Sequence, residues 1–406
     1  MKNIFPLLVV PLFMLVVALE YYISLRKNKK VFKFESSITN VSIGIGERLI
    51  NLFIIGINYS LFNWVYTNYA IFEIDNNFVT SILLLLLADF VWYWYHRLGH
   101  KVNLFWAAHI VHHHSNEFNY TAATRITTIQ AMIRTPFWLV LVFLGFHPNQ
   151  VLFVLVIHGA YSFFTHTQIF NFPKWLDKVF ITPNLHGIHH ASNEVYLDKN
   201  FGDVFVFWDK IFGTYQGYVE KPIYGITAPL NRSSFLWQHF HYYLELFVAI
   251  KKQKNIKNKI QILFGDPSLV DKDIRSEIEK VFFEDNSKKT INGRLKKYVT
   301  FQLILALSLL FFITYKFNLF TVFEKINYTA ILIFTLVNIG ALLEQKKWIY
   351  YLEFIRLFFV FLLIAYFYDA YTLIFVSLVV MLILSLNRNL KERYLNKFLN
   401  YDCYVR

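Results

Sequence analysis

Residues Asp89-Phe90-Val91-Trp92-Tyr93-Trp94-Tyr95-His96-Arg97-Leu98-Gly99-His100 decide how this chain is read, because an apolar run that begins near residue 78 passes directly into two histidines four positions apart. On a continuing helix, positions i and i+4 lie one turn apart on one face, so His96 and His100 offer paired imidazoles at the end of a membrane-length segment. Asp89 stands seven residues before His96, about two turns earlier on that same face and inside the apolar run. Ionisable groups within such runs turn inward and serve a function or a partner. Asp89 is therefore expected to orient a ligand imidazole or one of its neighbours, or else to make an interhelical hydrogen bond.

Further along come His109-Ile110-Val111-His112-His113-His114 and His186-Gly187-Ile188-His189-His190, with His166 between them at the end of another apolar run. In each, the i, i+3 and i+4 positions are expected to converge on one helical stripe, a chelating geometry. Twelve of the 14 histidines fall between residues 96 and 190. Nine of them fill the spaced positions or are His166, which is more nitrogen than one ion can use. Imidazole suits zinc, copper, iron and nickel, and a hydrolytic zinc site needs only three protein ligands, so the pattern predicts a two-metal centre. Neutral nitrogen ligands without a fixed carboxylate leave such a centre electron-poor, which suits oxidative attack with dioxygen on an unactivated C–H bond. His114 follows a pair that already has its partner and is read as no ligand. His158, about 80° round the helix from His166, fits a ligand or a buried hydrogen-bonded role equally; His147, His239 and His241 are read as structural.

The composition places these motifs in a membrane. Of 406 residues, 56% are hydrophobic and 17% charged against a usual ~25%, and 44 are Phe. That excludes a cytosolic globule and a disordered chain. The lone Cys403 excludes a disulfide framework and any cysteine-based metal site. Nine stretches are candidate spans, at about residues 4–25, 42–66, 78–95, 130–146, 149–166, 300–317, 327–343, 349–366 and 371–387, several of them short or polar enough to be re-entrant. The net charge of +13 lies in patches between these runs rather than on a polar domain, so no nucleic-acid partner is expected.

With alternating spans, every basic cluster falls on one side: Arg26, Lys27, Lys29, Lys30 and Lys33, then Lys346 and Lys347, then Arg388, Lys391, Arg393 and Lys397. Isolated Lys2 and Lys316 fall on the other. The positive-inside rule then predicts an outside N-terminus and a cytoplasmic C-terminus. The first run lacks a cleavage-site pattern and reads as an anchor. The expected fold is all-α, a polytopic membrane helical bundle with a cytoplasmic histidine-rich di-metal cap. Its expected parts are an N-terminal membrane region over 1–77, the histidine-bearing core over 78–250, a basic linker over 251–299, and a C-terminal bundle with a basic tail over 300–406. In that bundle Glu344, Glu353, Arg356 and Asp369 read as boundary residues.

The three histidine motifs, in this order, resemble the fatty acid hydroxylase superfamily, membrane di-iron oxygenases that include sterol desaturases. Within it, the stretches Val102–His109, Asn119–Arg125, Tyr196–Gly202, Trp208–Tyr215 and Tyr224–Thr227 are similar to the branch that hydroxylates the ether-linked carbon of alkylglycerols. The resemblance covers most of the chain. It implies two iron ions held by His96, His100, His109, His112, His113, His166, His186, His189 and His190, with dioxygen and a lipid entering sideways from the bilayer as substrates. It also implies tetrahydrobiopterin as reductant. Lys101, however, stands where that branch carries Glu, reversing a charge beside the site, and His114 stands where it carries Ser. Two other readings stay open from the residues: a sterol or fatty-acid desaturase or hydroxylase with a different electron donor, and a membrane metal transporter or sensor.

Overall fold

The computed structural model describes residues 5–170, 172–283 and 291–399, with side chains from residue 10; Lys2 and Cys403 lie outside these. Among the described residues every regular element is helical, with two isolated β-bridges and no strand. The chain divides into two compact units, one comprising Leu15–Leu230 and His239–Phe282, the other Asn231–Gln238 and everything from Phe283, together with the first residues.

In the first unit, the part of α1 (Phe5–Arg26) from Leu15 onward, α2 (Phe34–Tyr69) and α3 (Phe78–Lys101) precede a short α4 (Asn103–His113). The start of α3 is fixed by Asn77, which accepts from the Thr80 backbone while the Thr80 hydroxyl accepts from the Asn77 backbone. Its 24 residues extend about 36 Å, beyond the ~30 Å hydrocarbon core, which is long enough for its last two turns, with His96 and His100, to reach a membrane boundary. A hairpin follows, α5 (Gln130–Leu144) and α6 (Pro148–Phe164). Gly145 makes its turn at φ +113°, and a Cβ there would lie 1.9 Å from the Phe72 carbonyl oxygen, so only glycine fits. Phe62, Leu84, Ala88, Trp138, Leu141, Val142, Phe146, Val151 and Val154, drawn from α2, α3, α5, α6 and the α5–α6 turn, form one buried core.

Beyond this membrane core, α7 (Pro183–His189) and α8 (Phe207–Ile211) belong to a cap with its own apolar centre of Ile181, Leu185, Ile188, Ala191, Tyr196 and Val206. α9 (Phe235–Lys251), α10 (Ile256–Phe264) and α11 (Asp273–Phe282) follow, so much of the segment expected to be a linker is helical. Asn103, fully buried, ties α4 to this region by donating to the carbonyls of Ile262 (2.7 Å) and Asp266 (3.1 Å) and accepting from Tyr242 Oη (2.6 Å).

The second unit is dominated by α12 (Gly293–Lys316), α13 (Val322–Leu343), α14 (Ile349–Phe367), α15 (Thr372–Leu386) and α16 (Arg388–Leu399). Glu353 and Arg356, expected at a boundary, pair with each other inside it. Glu353 Oε1 accepts from Tyr298 (2.6 Å), Asn338 (2.9 Å) and Tyr394 (2.9 Å), and Arg356 also donates to Gln302. Their neighbours supply the polar partners that a charge needs in an apolar bundle. Glu344 likewise accepts from the backbone of Ser233 and Ser234, both at 2.8 Å.

Nine candidate spans become fewer full crossings. Among the described residues, five helices are long and apolar enough (α2, α3, α12 with its 3-10 extension, α13 and α14), and α15 with α16 makes a sixth only as one span bent by 72°. α5 and α6, with 15 and 17 residues, extend about 22 and 26 Å and fall short of the hydrocarbon thickness. The chain is a multi-pass membrane protein.

Candidate metal centre

The nine spaced histidines come together in two groups. His96, His100, His109, His113 and His189 form one, and His112, His166, His186 and His190 the other; within each, the nitrogens lie within 4.8 Å of one another. The groups share a wall, with the rings of His113 and His190 stacked at 4.4 Å. The single stripe expected of each motif divides. In α4 the i, i+4 pair His109 and His113 serves the first group while His112 faces the second. In α7 the pair His186 and the following His190 serve the second while His189 faces the first. Adjacent residues on a helix point about 100° apart, so an H-x2-H-H motif feeds two neighbouring sites.

Backbone acceptors set the rings. His96 Nδ1 lies 2.8 Å from the Phe201 carbonyl, His189 Nδ1 2.8 Å from that of Lys199 and His166 Nδ1 2.7 Å from that of Ser162. A carbonyl only accepts, so each Nδ1 carries the hydrogen and each Nε2 is left as a lone pair. The Nε2 atoms of His112 and His166 are 3.2 Å apart, those of His166 and His186 3.1 Å, and those of His186 and His190 3.1 Å. In the first group His96, His100 and His189 have buried Nε2 atoms with no hydrogen-bond partner. Outside the spans, burial and then the crowding of neighbouring imidazoles hold His109, His113, His186 and His190 well below the ordinary histidine range, with His112 and His189 lowered as well. Converging imidazole nitrogens, with those of His96, His166 and His189 fixed as lone pairs by a carbonyl behind each ring, fit transition-metal cations.

The surroundings fix this arrangement. Arg125, fully buried, donates from Nε to the Val111 carbonyl and from Nη1 to Asn40 Oδ1, both at 2.7 Å, and Thr127 donates to the Ala108 carbonyl at 2.9 Å, so the end of α4 is held from two sides. α7 begins at Thr182, whose hydroxyl accepts from the Asn184 backbone, with Pro183 in its first position. Phe118 packs on His166, His186 and His190 and stacks on Tyr224 at 4.9 Å, closing the second group to water.

Asp89 touches none of the nine imidazoles. Its carboxylate accepts from the backbone of Val204 (2.9 Å) and Phe205 (3.1 Å) and from Trp208 Nε1 (3.0 Å), pinning the segment just past the carbonyl that holds His96. His158 lies outside both groups, its Nδ1 2.6 Å from Asp203 Oδ2 and 3.8 Å from Asp89 Oδ1, so it is hydrogen-bonded within a separate buried trio that could itself hold a cation. His114 turns away to His241, Nε2 to Nε2 at 3.1 Å, and His241 Nδ1 meets Glu245 at 2.6 Å. His147 is the N-cap of α6.

One carboxylate was not legible in the motifs. Asp198 Oδ1 lies 3.6 Å from His100 Nδ1, and its Oδ2 pairs with Lys101. Burial alone would push its carboxyl up, but the bonds and charges of His100 and Lys101 outweigh that and bring it down to about 2. The sequence signal for this loop is the Asp-Lys-Asn run. Asp198 and Asn200 sit at φ +57° and +55°, a region open to Asp and Asn more than to other side chains.

Fold and site together define a multi-span helical membrane protein with two adjoining histidine clusters able to hold metal. The fatty acid hydroxylase family model matches residues 81–214, the stretch that carries all nine histidines. Alkylglycerol monooxygenase of Homo sapiens is 30% identical over 350 residues, 83% of this chain and 77% of that protein. The protein of that name from Danio rerio is 26% identical over 330 residues, 80% and 74% respectively. Cholesterol 25-hydroxylase of Homo sapiens is 28% identical over 137 residues, 33% of this chain and 50% of that protein. No solved structure matches. The chain belongs to the fatty acid hydroxylase family and is an oxidoreductase of the lipid-hydroxylase kind.

Proposed function

We propose that this chain is a membrane di-iron monooxygenase that hydroxylates a lipid drawn from the bilayer, at the ether-linked carbon of an alkylglycerol. The observation that carries the reading is the pair of histidine groups, five and four imidazoles sharing a wall. The assigned ligands are His96, His100, His109, His113 and His189 for one ion and His112, His166, His186 and His190 for the other. Two irons bound there would supply the activation of dioxygen that inserts one oxygen atom into a C–H bond. The reaction takes up dioxygen, two electrons and two protons and releases water. Hydroxylation beside an ether oxygen gives a hemiacetal that collapses to a fatty aldehyde and a glycerol.

The chain's own residues provide orientation and exclusion of water. The carbonyls of Ser162, Lys199 and Phe201 fix three ligand tautomers, and Phe118 with Tyr224 covers the second group. The likeness to alkylglycerol monooxygenases makes tetrahydrobiopterin the first donor to test; Lys101, which reverses a charge at that edge, counts against it, so other reductants are tested beside it. The one-sided basic clusters favour an outside N-terminus and a cytoplasmic cap, open to a soluble donor.

The test is metal analysis of the purified protein with oxygen uptake and product identification on an alkylglycerol. The reading expects iron, substrate-dependent oxygen uptake, a fatty aldehyde, and loss of all turnover in His112→Ala. Zinc as the sole metal, or turnover that survives His112→Ala, would end it. A new double bond or a stable alcohol would move the assignment to a desaturase or another hydroxylase. Metal flux in proteoliposomes without oxygen uptake would support a transporter.

A further inference from the structure

The loop of residues 197–201 reaches three imidazoles of the five-histidine group from behind and, among the described residues, none of the other four. The Lys199 carbonyl meets His189 Nδ1 and the Phe201 carbonyl meets His96 Nδ1, both at 2.8 Å, while Asp198 Oδ1 faces His100 Nδ1 at 3.6 Å. The loop is clamped. Asn200, fully buried, donates to the carbonyls of Leu185 (3.1 Å) and Gln216 (2.9 Å) and accepts from the Gln216 backbone (2.8 Å). Asp209 accepts from the backbone of Phe201 (2.7 Å) and Gly202 (2.9 Å). The left-handed residues Asp198 and Asn200 shape the backbone so that two carbonyls and one carboxylate face the same metal position.

That carboxylate has no counterpart. Among the described residues, Asp198 is the one carboxylate in ion-pair distance of any of the nine imidazoles; in the four-histidine group the acceptor behind His166 is the neutral Ser162 carbonyl. A carboxylate behind a ligating imidazole strengthens its donation and fixes its ring. We infer that Asp198 is a positioning residue that makes the two metal positions inequivalent, so that the five-histidine position fills first and holds its ion more tightly. The inference rests on the two-metal reading above.

The test is cobalt(II) titration of the metal-stripped full-length protein in detergent, read by visible absorption and by competition with a chelator. The unaltered protein is expected to take up two ions in two separable phases. Asp198→Asn is expected to weaken the tighter phase by about 10- to 100-fold and to leave the midpoint of the weaker phase in place, which also reports a folded cap. A tight phase unchanged in Asp198→Asn, or both phases weakened alike, overturns the inference. Uptake of fewer than two ions by the unaltered protein would count instead against the two-metal reading.

Discussion

His166 and His186, twenty residues apart on either side of the α6–α7 connection, hold their Nε2 atoms 3.1 Å from each other. With the His166 Nδ1 hydrogen committed to the Ser162 carbonyl, the nitrogen that faces His186 is a lone pair, which a cation held by both rings would satisfy. His166→Ala is therefore expected to lower metal content from two ions per chain toward one and to reduce turnover by on the order of 100-fold or more, the upper range for disturbing such a site. Metal analysis beside oxygen uptake checks it. Full metal content in the variant would count against His166 as a ligand.

His114 offers the contrast, since it adjoins His113 in sequence but points to His241. His114→Ala is expected to keep both ions and to lose about 1–3 kcal/mol of stability, the usual cost of disturbing a buried hydrogen bond. Metal content and thermal unfolding separate the two effects.

Asp209 holds the metal-facing loop through the backbone donors of Phe201 and Gly202 and through the Thr214 hydroxyl (2.7 Å). Each stranded buried donor costs about 1–3 kcal/mol, so Asp209→Ala is expected to lower stability by at least about 2 kcal/mol. Gly202→Ala is expected to act in the same direction, because its Cβ would lie 2.6 Å from the Phe205 carbonyl oxygen. Thermal unfolding of the two variants beside the unaltered protein measures both.

The His241–Glu245–Arg275 chain makes the cap sensitive to acid. Burial would raise the Glu245 carboxyl, but hydrogen bonds from His241 and Arg275 outweigh it and lower it below its ordinary value of 4.5. A depressed carboxyl contributes stability that is present above its unfolded value and is lost as pH falls through the folded one. Burial lowers His241 as well, so the unfolded chain takes up that proton first below 6.5 and stability again falls with pH. The thermal midpoint is expected to drop between pH 7 and 4, and Glu245→Gln to flatten the part below about 4.5. Parallel profiles for the two proteins would contradict this.

The histidine pattern was legible because chelation leaves a residue signature at helical spacing. What it could not show was the division of each triplet between two positions, which depends on where neighbouring helices stand. The acceptors behind the rings were hidden for another reason: Lys199 and Phe201 act through carbonyls, which every residue carries. Asp89 was visible as an anomaly, but its partners Val204, Phe205 and Trp208 lie more than a hundred residues away. Hydropathy marked apolar stretches but not their length or bend, so the candidates at α5, α6 and the break between α15 and α16 include the short ones expected to be re-entrant. Glu353 and Arg356 looked like boundary charges until Tyr298, Asn338 and Tyr394 were found around them.

The most direct test of the nine-histidine centre is Mössbauer spectroscopy of protein reconstituted with iron-57, with iron counted per chain. Two irons per chain, magnetically coupled in the oxidised state, are predicted. A single isolated iron, or none retained by a folded protein, would contradict the account.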